Sequence, residues 1–149
     1  MAATTQRRLW LVIAVAAALL AGMQAARHFI RVDTGQAPPD DRRLLAAIRN
    51  GQSNVQVEGS GTVVRVLADD TRGRRHQRFI LRIASGQTLL VAHNIDLSPR
   101  IDRLRAGDTV LFYGEYEWNA KGGVVHWTHR DPSGRHPDGW LKHEGRVYR

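Results

Sequence analysis

The chain has 149 residues, 22 Lys plus Arg against 14 Asp plus Glu, and no cysteine. Once a targeting segment is set aside, one domain fits, and the lack of cysteine excludes disulfides, a disulfide-linked partner, thiolate zinc sites, iron–sulfur clusters and a cysteine nucleophile. The net charge of +8 is carried mostly by arginine; it suits a polyanion such as nucleic acid, anionic lipid or acidic glycan, or serves solubility alone.

Residues 1–27 read as a signal peptide or signal anchor. Arg7-Arg8 precede an unbroken apolar run from Leu9 to Met23, the order of a positive and then a hydrophobic targeting region. The cleavage pattern is poor, because cutting after Ala26 places Gln24, and cutting after Ala25 places Met23, at the −3 position. The reading therefore favours a retained single-pass anchor in the cell inner membrane, with cleavage and release into the periplasm as the alternative. The two arginines on the cytoplasmic side place the C-terminal domain in the periplasm.

Residues 28–39, ending Gln36-Ala37-Pro38-Pro39, form a tether. Residues 40–51 predict one short amphipathic helix. Asp40-Asp41 open it, Leu44, Leu45 and Ile48 share a stripe, and Asn50-Gly51 stop it. From residue 52 to 149 the pattern is mostly β. Val55 and Val57 alternate with polar residues, Gly59-Ser60-Gly61 interrupt, and Val64 and Val66 resume on the opposite phase, which predicts a bulge or bend at the glycines. Phe79, Leu81 and Ile83 mark a second strand and Leu89 to His93 a third. After a loop from Ile95 to Ala106, Gly107-Asp108 open a fourth strand in which Val110, Phe112, Gly114, Tyr116 and Trp118 share a face. Val124 to Thr128 make the fifth. From Asp131 onward the chain reads as an irregular tail, with Trp140 and Tyr148 as plugs. Five strands, a bent first strand and a longer connection between the third and fourth predict an all-β, five-stranded OB-like barrel. Another small five- or six-stranded barrel or sandwich is the alternative.

That topology gathers strand ends. His76 starts strand two, His93 ends strand three and His129 follows strand five, so His76, His93, Asp96, His129 and Asp131 converge on one rim, with His126 and His136 close by. Imidazoles with carboxylates suit zinc, copper, nickel or iron, so His93, His126, His129, Asp131 and His136 are the metal candidates and a divalent transition metal the cofactor they imply. Two facts weigh against this. His126 and His129 are three apart, on opposite faces of a regular strand, and no standard spaced zinc signature is present. The competing reading is that these histidines hydrogen-bond loop backbone and cap the barrel end.

Further ligand-binding candidates are His76, Trp127, Trp140, Glu115, Arg74 and Arg75. Glu115 and Glu117 share the face of Tyr113, across the hairpin from His126, where they read as a general acid/base pair or as a solvated strand face. Trp127 and Trp140 could stack bases or sugars, whereas Trp118 continues the apolar phase and seals the barrel. Arg74 and Arg75 in the first loop are anion contacts or a solvated turn.

The runs His93-Asn94-Ile95-Asp96-Leu97, Gly114-Glu115-Tyr116-Glu117-Trp118-Asn119 and Gly122-Gly123-x-x-His126-Trp127-Thr128-His129-x-Asp131-Pro132 resemble a bacterial family of small exported proteins known as a domain of unknown function. The resemblance covers roughly residues 52–149 and implies membership without an activity or substrate. A looser likeness in layout is to the haem chaperone of cytochrome c maturation, a membrane-tethered periplasmic OB barrel with a C-terminal histidine and tyrosine. Here His143 and Tyr148 stand five apart, one more than in that protein. The expectation is a membrane-tethered periplasmic OB-like binding module with a histidine-rich rim and a polyanion or protein partner. A metal-dependent hydrolase or nuclease using the rim histidines, and a haem or metal carrier, are the alternatives.

Overall fold

A computed structural model describes residues 41–149; the expected anchor, 1–27, and tether, 28–39, lie outside them. Helix α1 (Arg42–Asn50) buries Leu44 and Ala47. Gly51 ends it with φ of 62°, while the Gly51 and Gln52 N–H groups donate to the carbonyls of Ile48 and Ala47. That left-handed cap is why glycine stands there. Among the described residues no helix is long and apolar enough to cross a membrane.

Seven strands follow: β1 (Val55–Val66), β2 (His76–Ile83), β3 (Thr88–Asn94), β4 (Thr109–Glu117), β5 (Val124–His126), β6 (Trp140–His143) and β7 (Arg146–Tyr148). β1 pairs antiparallel with β4 over Val55–Thr62 and with β2 over Gly61–Val66. β2 pairs with β3, β3 runs parallel to β5, and β5 returns antiparallel to β4. The circuit β1-β2-β3-β5-β4-β1 is therefore closed, the OB-like barrel expected from the sequence. Phe79, Leu81, Val91, Phe112, Tyr116 and Val125 fill it, all within 0% exposure.

β1 serves two neighbours because it bends, and the bend needs glycine. A Cβ on Gly59 would stand 2.6 Å from Phe112 Cζ, and one on Gly61 would stand 2.9 Å from the Arg82 carbonyl oxygen. The change of phase, however, falls later than the glycines. The inward phase runs on through Val63, and the register slips at Val64, where Val63 faces Leu81 and Arg65 faces Ile80. Val63 is buried and Val64 is 37% exposed, so the expected inward Val64 is corrected by one residue.

Three other expectations change. β5 stops at His126 instead of Thr128 because Trp127 takes a φ of 51°, which takes the chain out of extended backbone. Trp118 does not seal the barrel; β4 ends at Glu117, and Trp118 is 46% exposed with its backbone N–H donating to Ser53 Oγ at 3.0 Å. The tail from Asp131 is not irregular throughout. β6 pairs with β4, Phe112 facing Leu141, and β6 and β7 form a hairpin that buries Leu141 and Tyr148. Its two turn residues, Glu144 and Gly145, both have positive φ (48° and 78°), the signature of a tight twisted hairpin turn.

Candidate functional site

Register decides which side chains meet on the wall formed by β2, β3, β5 and β4. Arg78 stands opposite Ala92, Leu90 beside Val124, and His126 and Val124 opposite Glu115 and Glu117. Alternation sends Phe79, Val91 and Val125 into the core, so the residues just named face outward. Outward positions of a sheet with one wet face are ordinarily polar. Here Ile80, Leu90, Ala92 and Val124 are apolar and half-buried. A groove of about 370 Å³ lies over Leu90, Ala92 and Val124, bordered by Asp70, His76 and Arg78 on one side and Glu117 and His126 on the other.

At the β4–β5 border of this groove lies a cluster of imidazoles and carboxylates. Glu115 and Glu117, two apart on one strand face, point the same way. His126 Nε2 lies 3.4 Å from Glu115 Oε1 and 3.8 Å from Glu117 Oε1. It is shielded from solvent and makes no hydrogen bond. Burial pushes the His126 pKa down, and the two carboxylates beside it do not overcome that; the ring is neutral near pH 7. His136 reaches the cluster from the loop after β5, its Nε2 2.9 Å from Glu115 Oε2. Burial alone would lower the His136 pKa, but the Glu115 carboxylate and the Pro137 carbonyl outweigh it and the net shift is upward.

His136 is delivered by a folded loop. The Asp131 carboxylate accepts from the Ser133 hydroxyl and from the N–H groups of Ser133, Arg135 and His136. These bonds, those to Ser133 foremost, hold its pKa far below the usual carboxylate range. The loop closes where Gly139 N–H donates to the His129 carbonyl at 2.8 Å. The His136 ring then stacks on Trp127, centroids 4.0 Å apart and planes 11° from parallel.

The interior holds a different histidine pair. His93 is 0% and His129 4% exposed. His93 Nδ1 lies 2.8 Å from Thr128 Oγ1 and its Nε2 3.3 Å from the Pro99 carbonyl. A carbonyl only accepts, so Nε2–H donates and Nδ1 accepts from the threonine hydroxyl. Burial drives the His93 pKa down to about 4, with the nearby His129 and His76 adding to the shift. His129 Nδ1 contacts the Arg130 carbonyl at 2.6 Å.

The expected metal set is thus divided. His126 and His136 join Glu115 and Glu117 on the outer wall, while His93 and His129 plug the barrel end and Asp131 staples a loop. The strand does break between His126 and His129, at Trp127, yet the two still lie on opposite sides, His126 on the outer wall and His129 buried. Among the other candidates, His76 lies in the groove with its Nδ1 2.8 Å from the Arg74 carbonyl, and Arg75 pairs with Asp96 at 2.6 Å. Arg74 is exposed in the same loop. Trp140 stacks on Tyr113 at 6.3 Å, beside but not within the Trp127–His136 stack. His143 Nε2 is taken by Asp108 at 3.0 Å and Tyr148 is buried, so the C-terminal histidine and tyrosine are not a free pair. The adjacency of Glu115, Glu117 and His126 follows from the hairpin, as the sequence implied. The apolar groove floor was missed, although the continuous run Leu89-Leu90-Val91-Ala92 is the signal of a strand covered on both faces.

No curated protein matches the chain. The model of a family described as "Protein of unknown function (DUF3465)" matches residues 20–149, a span that takes in the helix, all seven strands and both groups of histidines, and the chain belongs to that family.

Proposed function

We propose that this chain is a membrane-tethered, periplasm-facing binding module that holds its ligand on the outer wall of the barrel. The observation that carries the reading is the half-buried apolar floor of Leu90, Ala92 and Val124, bordered by ionisable side chains. A groove of about 370 Å³ suits one small molecule or one unit of a polymer. The ligand class is an amphipathic anion: a flat apolar body on the floor and an acidic group toward Arg78 and His76. Support for the acidic group comes from the charge, since removing Arg7 and Arg8 leaves 20 cationic against 14 acidic residues. The tether and the periplasmic side rest on the apolar run from Leu9 to Met23 and the arginines before it.

Anilinonaphthalene sulfonate has this chemistry and reports binding by fluorescence. Wild type should bind it saturably, and Leu90→Arg or Val124→Glu should weaken it by about tenfold or more, a loss of ~1.4 kcal/mol. Both positions face outward, so the fold survives the change. Unaltered binding in both variants, or none in wild type, would sink the reading. A metal-dependent hydrolase is the second reading, favoured by the carboxylate–imidazole cluster on the same wall.

A further inference from the structure

We propose that Glu115, Glu117 and His126 bind one divalent ion of the zinc class at the β4–β5 border of the groove, with His136 holding the other oxygen of Glu115. The donor atoms of Glu115, Glu117 and His126 all lie within 4.8 Å of one another. An ion with bonds of ~2.1 Å holds tetrahedral donors roughly 3.4 Å apart. The two separations from His126 Nε2, 3.4 Å and 3.8 Å, are those of groups that share an ion rather than groups that hydrogen-bond well.

One unsatisfied atom points to that occupant. His126 Nε2 is buried with no hydrogen-bond partner, a state that carries a desolvation penalty unless something compensates it. His136 stands behind Glu115. Its Nδ1 lies 2.9 Å from the Pro137 carbonyl and its Nε2 2.9 Å from Glu115 Oε2, and both oxygens only accept. A doubly protonated ring donates to both, which fixes Glu115 and leaves its Oε1 on the side of His126.

The frame is already in place. Glu115 and His126 are fixed by strand pairing, and the His136 ring is clamped by Trp127. His136 orients the Glu115 carboxylate as the outer partners of metal ligands do. One imidazole with two carboxylates, leaving a position open for water, suits zinc, and also manganese, iron or nickel. Because Glu117 and His126 line the groove, the ion would also face an acidic ligand lying there; only this last role rests on the groove reading.

The test is calorimetric titration of zinc chloride into the full chain, purified without affinity tag or chelator. Wild type should take up one equivalent, and zinc should raise its unfolding temperature. His126→Ala and Glu117→Gln should each weaken uptake at least tenfold; Glu117→Gln is the safer variant, being a near-isosteric change on a half-buried strand face. Wild type that takes up no zinc overturns the proposal. So does zinc held as tightly by both variants. Anilinonaphthalene sulfonate binding by zinc-free wild type separates the two ideas: dye bound without zinc uptake removes the ion and leaves the groove, and zinc uptake without dye binding does the reverse.

Discussion

Acid should weaken this protein through His93, by an amount the structure sets. The ring is fully buried, its two nitrogens satisfied as a neutral imidazole by Thr128 and Pro99. Its pKa falls from 6.5 in the unfolded chain to about 4 in the fold, because burial opposes a charge there. At pH 7 both states are neutral at this site. As the pH drops below 6.5 the unfolded chain takes a proton that the folded chain refuses until about pH 4. The unfolded state binds more protons across that window, so stability is present above it and lost as pH falls through it. The difference between 6.5 and about 4 is worth about 3 kcal/mol in full. The assay is urea unfolding of wild type and His93→Gln at intervals from pH 7.5 to 4, comparing slopes rather than absolute stabilities, since the substitution also alters packing. Other groups titrate in both proteins and cancel in the difference. Wild type should lose about 3 kcal/mol more than the variant over this range. Parallel slopes would refute the reasoning, because they would mean that His93 is protonated as easily in the fold as outside it.

Gly114→Ala should destabilise the fold by about 1–3 kcal/mol, read from urea midpoints. Its Cβ would collide with the His126 carbonyl oxygen and approach Thr128 Cγ2 to 2.9 Å, so zinc affinity should fall with stability. Trp118→Ala, by contrast, should cost no more than ~1 kcal/mol because the ring is 46% exposed. Phe112→Ala, 0% exposed, should cost about 3–5 kcal/mol, and a Trp118 loss of that size would restore it to the core. Asp131→Asn should loosen the 131–139 loop, seen as faster amide exchange at Ser133, Arg135 and His136. Unchanged exchange there would mean that the carboxylate does not staple the loop.

The strands were legible because one face of each had to be apolar at period two, and Phe79, Leu81, Val110, Phe112 and Tyr116 obey that. The pairing of His126 with Glu115 and Glu117 was legible too, since a hairpin sets cross-strand neighbours. Val64 was misread because a bulge moves the phase by one residue without leaving a residue-type signal there; the glycines nearby answer to Phe112 and Arg82 instead. β6 and β7 went unread because a four-residue and a three-residue strand carry too few alternations to stand out among Gly, Pro and His. His136 was placed only loosely, because its position depends on hydrogen bonds to Asp131 and on backbone contact between Gly139 and His129.

By itself, then, the sequence determined the class of fold, the order of the barrel strands, the absence of thiol chemistry and the richness of one region in imidazole and carboxylate. Those are properties of composition and local period, which need no knowledge of long-range contacts. Tertiary structure alone decided which histidines serve which purpose. His129 is buried beyond the break at Trp127, the loop brings His136 back to Glu115, and closure of the barrel buries His93. Each depends on groups far apart in the chain meeting in space, and no local pattern records such a meeting.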